Sequence, residues 1–184
     1  MNKRMHAIVK YIEPGRGLID VGTDHGYLPT WMASHGYHGN IIAADINAAP
    51  LQKARENAEK AGVTDRITFQ LCDGLEQCKP ESVDTIIIAG MGGDLICRIL
   101  DLAEWCMDRR YKLILQPMTK SEVLRYWLTN NEFEILAEDL ARRDMDDVPI
   151  DESNYEELAS RIDAYISEFE EHGTDNILVD SDIM

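Results

Sequence analysis

The sequence predicts an α/β fold: a doubly wound, mostly parallel sheet followed by a C-terminal helical extension. Three observations carry this. Short apolar runs alternate with helical patterns through the first 140 residues. The runs are β-branched and nearly continuous in hydrophobicity, as strands covered on both faces must be. The glycine- and aspartate-rich strings stand at the ends of these runs, where open α/β sheets bind ligands. A domain over 1–140 and an acidic extension over 141–184 are therefore expected.

Met5, Ile8, Val9 and Ile12 have i, i+3, i+4, i+7 spacing, so a short helix comes first, ended by Pro14-Gly15. Leu18 to Val21 is the first strand and Ile41 to Asp45 the second. Asn47 is placed to cap a helix running to about Ala61, with Pro50 in its first turn and Gly62 closing it in the left-handed conformation. Ile67 to Leu71, Val83 to Ala89 and Tyr111 to Leu115 are further strands. A helix from Gly93 to about Glu104 carries the stripe Leu95, Ile96, Ile99, Leu100 and Ala103. Thr119-Lys120-Ser121-Glu122 has capping-box form and opens a helix through Val123, Leu124, Trp127 and Leu128. Phe133 to Leu140 reads as a sixth strand, and Arg142 to Asp147 as a polar loop. Tyr155, Leu158, Ile162, Tyr165 and Phe169 then mark one amphipathic helix ended by Gly173, covering too few heptads for a firm coiled coil. Ile177-Leu178-Val179 reads as an edge strand or a frayed end.

Hydrophobic residues make up 45% of the 184, enough for a sizeable core in one ordinary domain. No apolar run approaches bilayer length, and the first ten residues hold no uninterrupted apolar stretch like that of a secretory leader. A cytoplasmic protein with no membrane contact is expected. The four cysteines, at 72, 78, 97 and 106, are irregularly spaced and read as free thiols in a reducing compartment. His35 and His38 lack a carboxylate or cysteine to complete a metal set, so no metal is expected. The net charge of −16 argues at first against a nucleic-acid partner. Residues 1–130, however, hold 15 Lys and Arg against 16 Asp and Glu, and residues 131–184 hold 3 against 18. The excess lies at the end, and the first two-thirds is free to present a basic face. Lys3, Arg4, Lys10 and Arg16, with Lys53, Arg55 and Lys60, are phosphate-contact candidates or simply solvated helix faces.

Four strings carry chemistry. In Asp20-Val-Gly22-Thr-Asp24-His25-Gly26-Tyr27, a strand enters a glycine turn and then a helix. Gly22 permits the sharp turn and Gly26 the close approach of a ligand or a helix. A nicotinamide loop reads G-x-G-x-x-G; here the middle glycine is absent and an acidic residue stands two positions before the first. That suits a ligand with a charged amino-acid end and no phosphate, such as S-adenosylmethionine. Asp45 ends the second strand, where a carboxylate accepts from both ribose hydroxyls of an adenosine, whether of NAD or of S-adenosylmethionine. Ile46 and Asn47 follow it as further cofactor candidates. Asp73-Gly74 ends the third strand, where Asp73 either accepts from the adenine amino group or makes an Asp-Gly turn. Gly90-Met91-Gly92-Gly93 follows the fourth strand as a side-chain-poor floor, without the Asn/Asp-Pro-Pro-aromatic string common in exocyclic-amine methylation.

Together GTDHGYLP, AADIN, CDGL, IIIAGMGGDLI and LILQP, in this order and spacing, resemble the bacterial tRNA (adenine-N1)-methyltransferases that modify position 22. The resemblance covers roughly residues 1 to 140. It implies a Rossmann-like class I methyltransferase fold, S-adenosyl-L-methionine as cofactor, tRNA as substrate and 1-methyladenosine as product. It puts Asp20, Gly22, Asp45, Asp73, Gly90 and Met91 at the cofactor, and Gly26, Ile46, Asn47, Gly74 and Gly92 beside them are further cofactor candidates. It puts Asp24, His25 and Tyr27 on the loop facing the target base; Arg4, from the basic cluster near the start, is the candidate to contact the substrate. Adenine N1 has its lone pair in the ring plane and needs no general base, so placement dominates. Asp24 is then the group to stabilise the charge gained by the ring, His25 to orient it, and Tyr27 either to stack on an extruded base or to start the helix as a core aromatic. The family usually closes its sheet with a β6–β7 hairpin and adds a long helical coiled-coil domain; here the stretch after Leu140 departs, being short and strongly acidic. The residues also admit a methyltransferase of small molecules or proteins, or a non-catalytic cofactor-binding module.

Overall fold

The computed structural model describes residues 3–78, 80–141 and 175–180. In chain order the elements are α1 (Lys3–Val9), β1 (Gly17–Val21), α2 (Tyr27–Ser34), β2 (Asn40–Asp45), α3 (Ala48–Lys60) and β3 (Ile67–Leu71). There follow β4 (Thr85–Gly92), α4 (Gly93–Asp101), β5 (Lys112–Thr119), α5 (Ser121–Asn130), β6 (Ile135–Ala141) and β7 (Asp175–Asp180). The sheet has the order β3-β2-β1-β4-β5-β7-β6. Strands β1 to β5 pair in parallel, and β7 is antiparallel to both β5 and β6.

Alternation along the strands builds two cores. Leu18, Ile41, Ala43, Ile87 and Ile114 face Ile8, Leu28, Met32 and Ala58 from α1, α2 and α3. Ile19, Val21, Ile42, Ile86, Ile88, Leu113 and Leu115 face Ile96, Leu100, Leu124 and Leu128 from α4 and α5. Burial on both faces accounts for the unbroken apolar runs of the central strands. All four cysteines are buried and free, and burial pushes the Cys106 thiol up to about 12, leaving it unreactive at neutral pH.

Several local expectations are corrected. Ile177, Leu178 and Val179 do not form an edge: they lie in β7, an inner strand between β5 and β6. The antiparallel β6–β7 pair closes the sheet, with Ala141 opposite Asp175 across the intervening chain. Thr119 belongs to β5 and Lys120 takes the cap position of α5 at φ 56, with no side-chain cap bond, so the capping box does not form. Asn47 holds the cap position of α3, also without a side-chain cap bond. Leu95 and Val123 are exposed and leave their apolar stripes. The amphipathic pattern of 155–169 lies outside the described residues.

Candidate active site

The chain runs outward from β1 to β2 and β3, then returns to β4 on the other side of β1. That reversal opens a crevice at the carboxyl ends of β1 and β4. A cavity of about 400 Å³ lies there, lined by Arg4, Met5, Ile8, Asp20, Gly22, Thr23, Asp24, His25, Tyr27, Leu28, Ala89, Gly90 and Met118. It brings Arg4, Asp20, Gly22, Asp24, His25, Tyr27 and Gly90 together from four elements and their loops.

Asp20 is the inner acid of this cavity. Its carboxylate accepts the Thr23 hydroxyl at 2.7 Å and is only 7% exposed. Burial, and to a smaller extent the nearby Asp45 charge, outweighs the Thr23 bond and pushes its pKa up to about 7. Gly22 turns the loop at φ 71, and its Cβ position would be filled by the Met91 methyl. Met91 therefore packs under the loop rather than lining the cavity. Asp24 sits at φ 49, a conformation rare for a non-glycine residue, and its backbone N–H donates to the Asp45 carboxylate at 3.3 Å. The Asp24 side chain is 68% exposed, with His25 Nε2 3.6 Å from its carboxylate. Tyr27 stands beside His25, ring centroids 5.4 Å apart, and is 54% exposed. It is the first residue of α2 but not a core aromatic.

Asp45 lies outside the cavity lining, on the β2 side. One carboxylate oxygen takes Asp24 N–H and the other takes Asn47 N–H at 2.8 Å. Two of about four lone-pair sites remain for a diol. Ile46 and Asp73 are exposed at the adjoining strand ends, and Gly74 follows with φ 56. Of the two close approaches expected at Gly26, the helix is the one seen: a Cβ there would lie 2.6 Å from Ala54 Cβ, so it lets α2 pack on α3. Likewise a Cβ on Gly92 would lie 2.7 Å from the Asp94 carboxylate, and one on Gly93 would meet the Lys120 carbonyl. Of the three glycines expected to floor the site, only Gly90 lines the cavity.

Sequence reasoning missed Thr23, Met118 and Gln116. Gln116 carried a signal: it is a lone polar residue in an otherwise apolar buried strand, immediately before a proline. It is fully buried and accepts the Gly90 N–H at 3.0 Å. No group of His, Cys, Asp or Glu suited to a metal occurs among the described residues, and none of their helices is long and apolar enough to cross a membrane.

Residues 1–147 match the model of a methyltransferase domain. This chain belongs to that methyltransferase domain family. The tRNA (adenine(22)-N(1))-methyltransferase of Bacillus subtilis is 33% identical to it over 144 residues, 78% of this chain and 60% of the relative. The chain thus spans less than two thirds of that curated methyltransferase. The crystal structure of the B. subtilis m1A22 tRNA methyltransferase TrmK is 28% identical, with a TM-score of 0.76 over 98% of this chain and 66% of that one. M. capricolum TrmK, solved with S-adenosyl-homocysteine, is 25% identical, with a TM-score of 0.71 over 98% and 68%. The resemblance drawn from the motifs of this methyltransferase is borne out by these relatives, as is its Rossmann-like fold.

Proposed function

We propose that this methyltransferase transfers the methyl group of S-adenosyl-L-methionine to N1 of an adenine in tRNA, at the position equivalent to 22. The observation that carries the reading is the convergence of Asp20, Asp24, His25, Tyr27, Gly90 and Arg4 on one cavity at the sheet's reversal point. A cytoplasmic location accords with it.

The donor set fits the cofactor. Asp45 retains lone pairs for the ribose hydroxyls, Ile46 offers an exposed apolar surface, and Asp73 offers a carboxylate to the adenine amino group. Asp20, buried and facing the cavity, would hold the ammonium of the amino-acid end directly or through water. Gly90 leaves open the space that a side chain would occupy, and Gly22, with the Met91 methyl beneath it, gives the loop its turn at the cavity wall. When bound, S-adenosyl-L-methionine supplies an electrophilic methyl carbon on a sulfonium sulfur.

The protein's own contribution is placement and charge. Adenine N1 is nucleophilic without loss of a proton, so no residue here acts as a base. The exposed Tyr27 ring offers a stacking surface to an extruded base, worth about 1–3 kcal/mol by the usual scale of such contacts. The Asp24 carboxylate, open to solvent on one side and near His25 on the other, accepts from N6 and stabilises the positive ring. Arg4, on α1 at the cavity wall, adds a cation for a phosphate. Incubation of unmodified tRNA with labelled S-adenosyl-L-methionine, followed by nucleoside analysis, tests the reading. The expected product is 1-methyladenosine; its absence from a chain that binds the cofactor overturns the proposal.

A further inference from the structure

The β4–β5 ladder is irregular where it borders the cavity. Ala89 pairs with Gln116, Met91 with Pro117 and Gly92 with Thr119, with register shifts on both sides of Met91. Gly90 has no ladder partner, and Pro117 has no N–H to offer across the bulge. A peptide N–H left unpaired in this half-buried arch would be costly. The Gln116 side chain supplies what the ladder lacks. Its Oε1 accepts the Gly90 N–H at 3.0 Å, and its Nε2 donates to the Pro117 carbonyl at 3.1 Å. The Gln116 amide is fully buried, so its bond to Pro117 is sheltered from water and its bond to Gly90 partly so.

Gly90 is the residue so fixed. It has φ 78, and the nearest atom to its absent Cβ is an Arg4 guanidinium nitrogen at 4.0 Å, so the open side of this peptide faces Arg4 and the cavity. We propose that Gln116 is a positioning residue for methyl transfer: by bridging Gly90 and Pro117 it sets the height of the glycine arch against which the target base is aligned. This rests on the functional reading above. Placement is the main demand of an in-line transfer, so a shift of this arch acts on turnover rather than on cofactor affinity.

Gln116→Glu and Gln116→Met separate positioning from packing. A protonated Glu keeps both bonds, its carbonyl oxygen accepting from Gly90 and its hydroxyl donating to Pro117. An ionised Glu cannot donate and sets a negative oxygen against the Pro117 carbonyl. Met fills the space and makes neither bond. For Gln116→Glu, kcat close to wild type is expected at low pH, falling about tenfold or more relative to wild type as the buried acid ionises. The KM for tRNA and the affinity for S-adenosyl-homocysteine should stay within about twofold. Gln116→Met should be slow at every pH. A folded Gln116→Met with wild-type kcat, or a Gln116→Glu profile parallel to wild type, overturns the proposal.

Exchange of the Gly90 amide, read by NMR on glycine-labelled protein, gives an answer independent of activity. It should be about tenfold faster in Gln116→Met, and in Gln116→Glu at high pH, than in wild type. Unchanged exchange in both variants overturns the assignment even if turnover falls. A wild-type chain that yields no 1-methyladenosine overturns the functional reading instead, and the Gly90 amide then decides the structural part of the assignment.

Discussion

Asp24 hangs from Asp45: the Asp24 backbone N–H donates to the Asp45 carboxylate at 3.3 Å, joining residues 21 apart in sequence. The same carboxylate takes Asn47 N–H. One side chain at the end of β2 thus holds the turn after β1 and the start of α3. The acid expected to grip the ribose also fixes the loop expected to meet the base.

Asp45→Ala should therefore weaken cofactor binding by roughly 100-fold, through two lost charge-assisted acceptor sites and a released loop. Asp45→Asn, which can still accept one of these N–H groups, should fall in between. Titration calorimetry with S-adenosyl-homocysteine measures both. Wild-type affinity in Asp45→Ala would put the ribose elsewhere.

Tyr27→Ala should leave cofactor affinity and thermal stability almost unchanged, because the ring is half exposed and outside the core. Turnover on tRNA should drop about tenfold or more, and Tyr27→Phe should restore it, since stacking needs the ring and not the hydroxyl. Equal loss of cofactor affinity and turnover in Tyr27→Ala would contradict this division of labour.

Burial raises the Asp20 pKa to about 7, so the folded chain holds this proton more tightly than the unfolded chain does. Stability is then greatest below the ordinary carboxylate range and declines as pH rises toward about 7. Asp20→Asn should remove that slope and stabilise the ligand-free protein above pH 7 by roughly 1–3 kcal/mol, while impairing cofactor binding. Denaturant melts of both proteins across pH check the sign. A wild-type curve rising through this window, with Asp20→Asn less stable at pH 8, would refute it.

Gly26→Ala and Gly90→Ala should fail in different ways. Both glycines have positive φ, but an added methyl at Gly26 collides with Ala54, whereas at Gly90 it enters open space beside Arg4. Gly26→Ala should cost roughly 2–3 kcal/mol of stability by separating α2 from α3. Gly90→Ala should cost about 1 kcal/mol and lose most of its turnover. Melting and single-turnover assays on the two variants test the contrast.

The alternation of strands and helices is legible in the residue order alone, because strands buried on both faces need continuous apolar runs, plain in Leu18–Val21, Ile41–Asp45 and Ile86–Ile88. The loops that bear chemistry are legible too, since acids and glycines at strand ends stand out as strings. How those strings divide their work is settled by the folded arrangement. Gly26, Gly92 and Gly93 serve close packing while Gly90 opens on the cavity, and that depends on Ala54, Asp94, Lys120 and Arg4, most of them distant in the chain or on other elements. Residues 177–179 read as an edge because local pattern says nothing of neighbours; pairing with β5 and β6 makes them an inner strand. Periodicity reports which face a residue turns inward, but long-range contacts decide what it meets there.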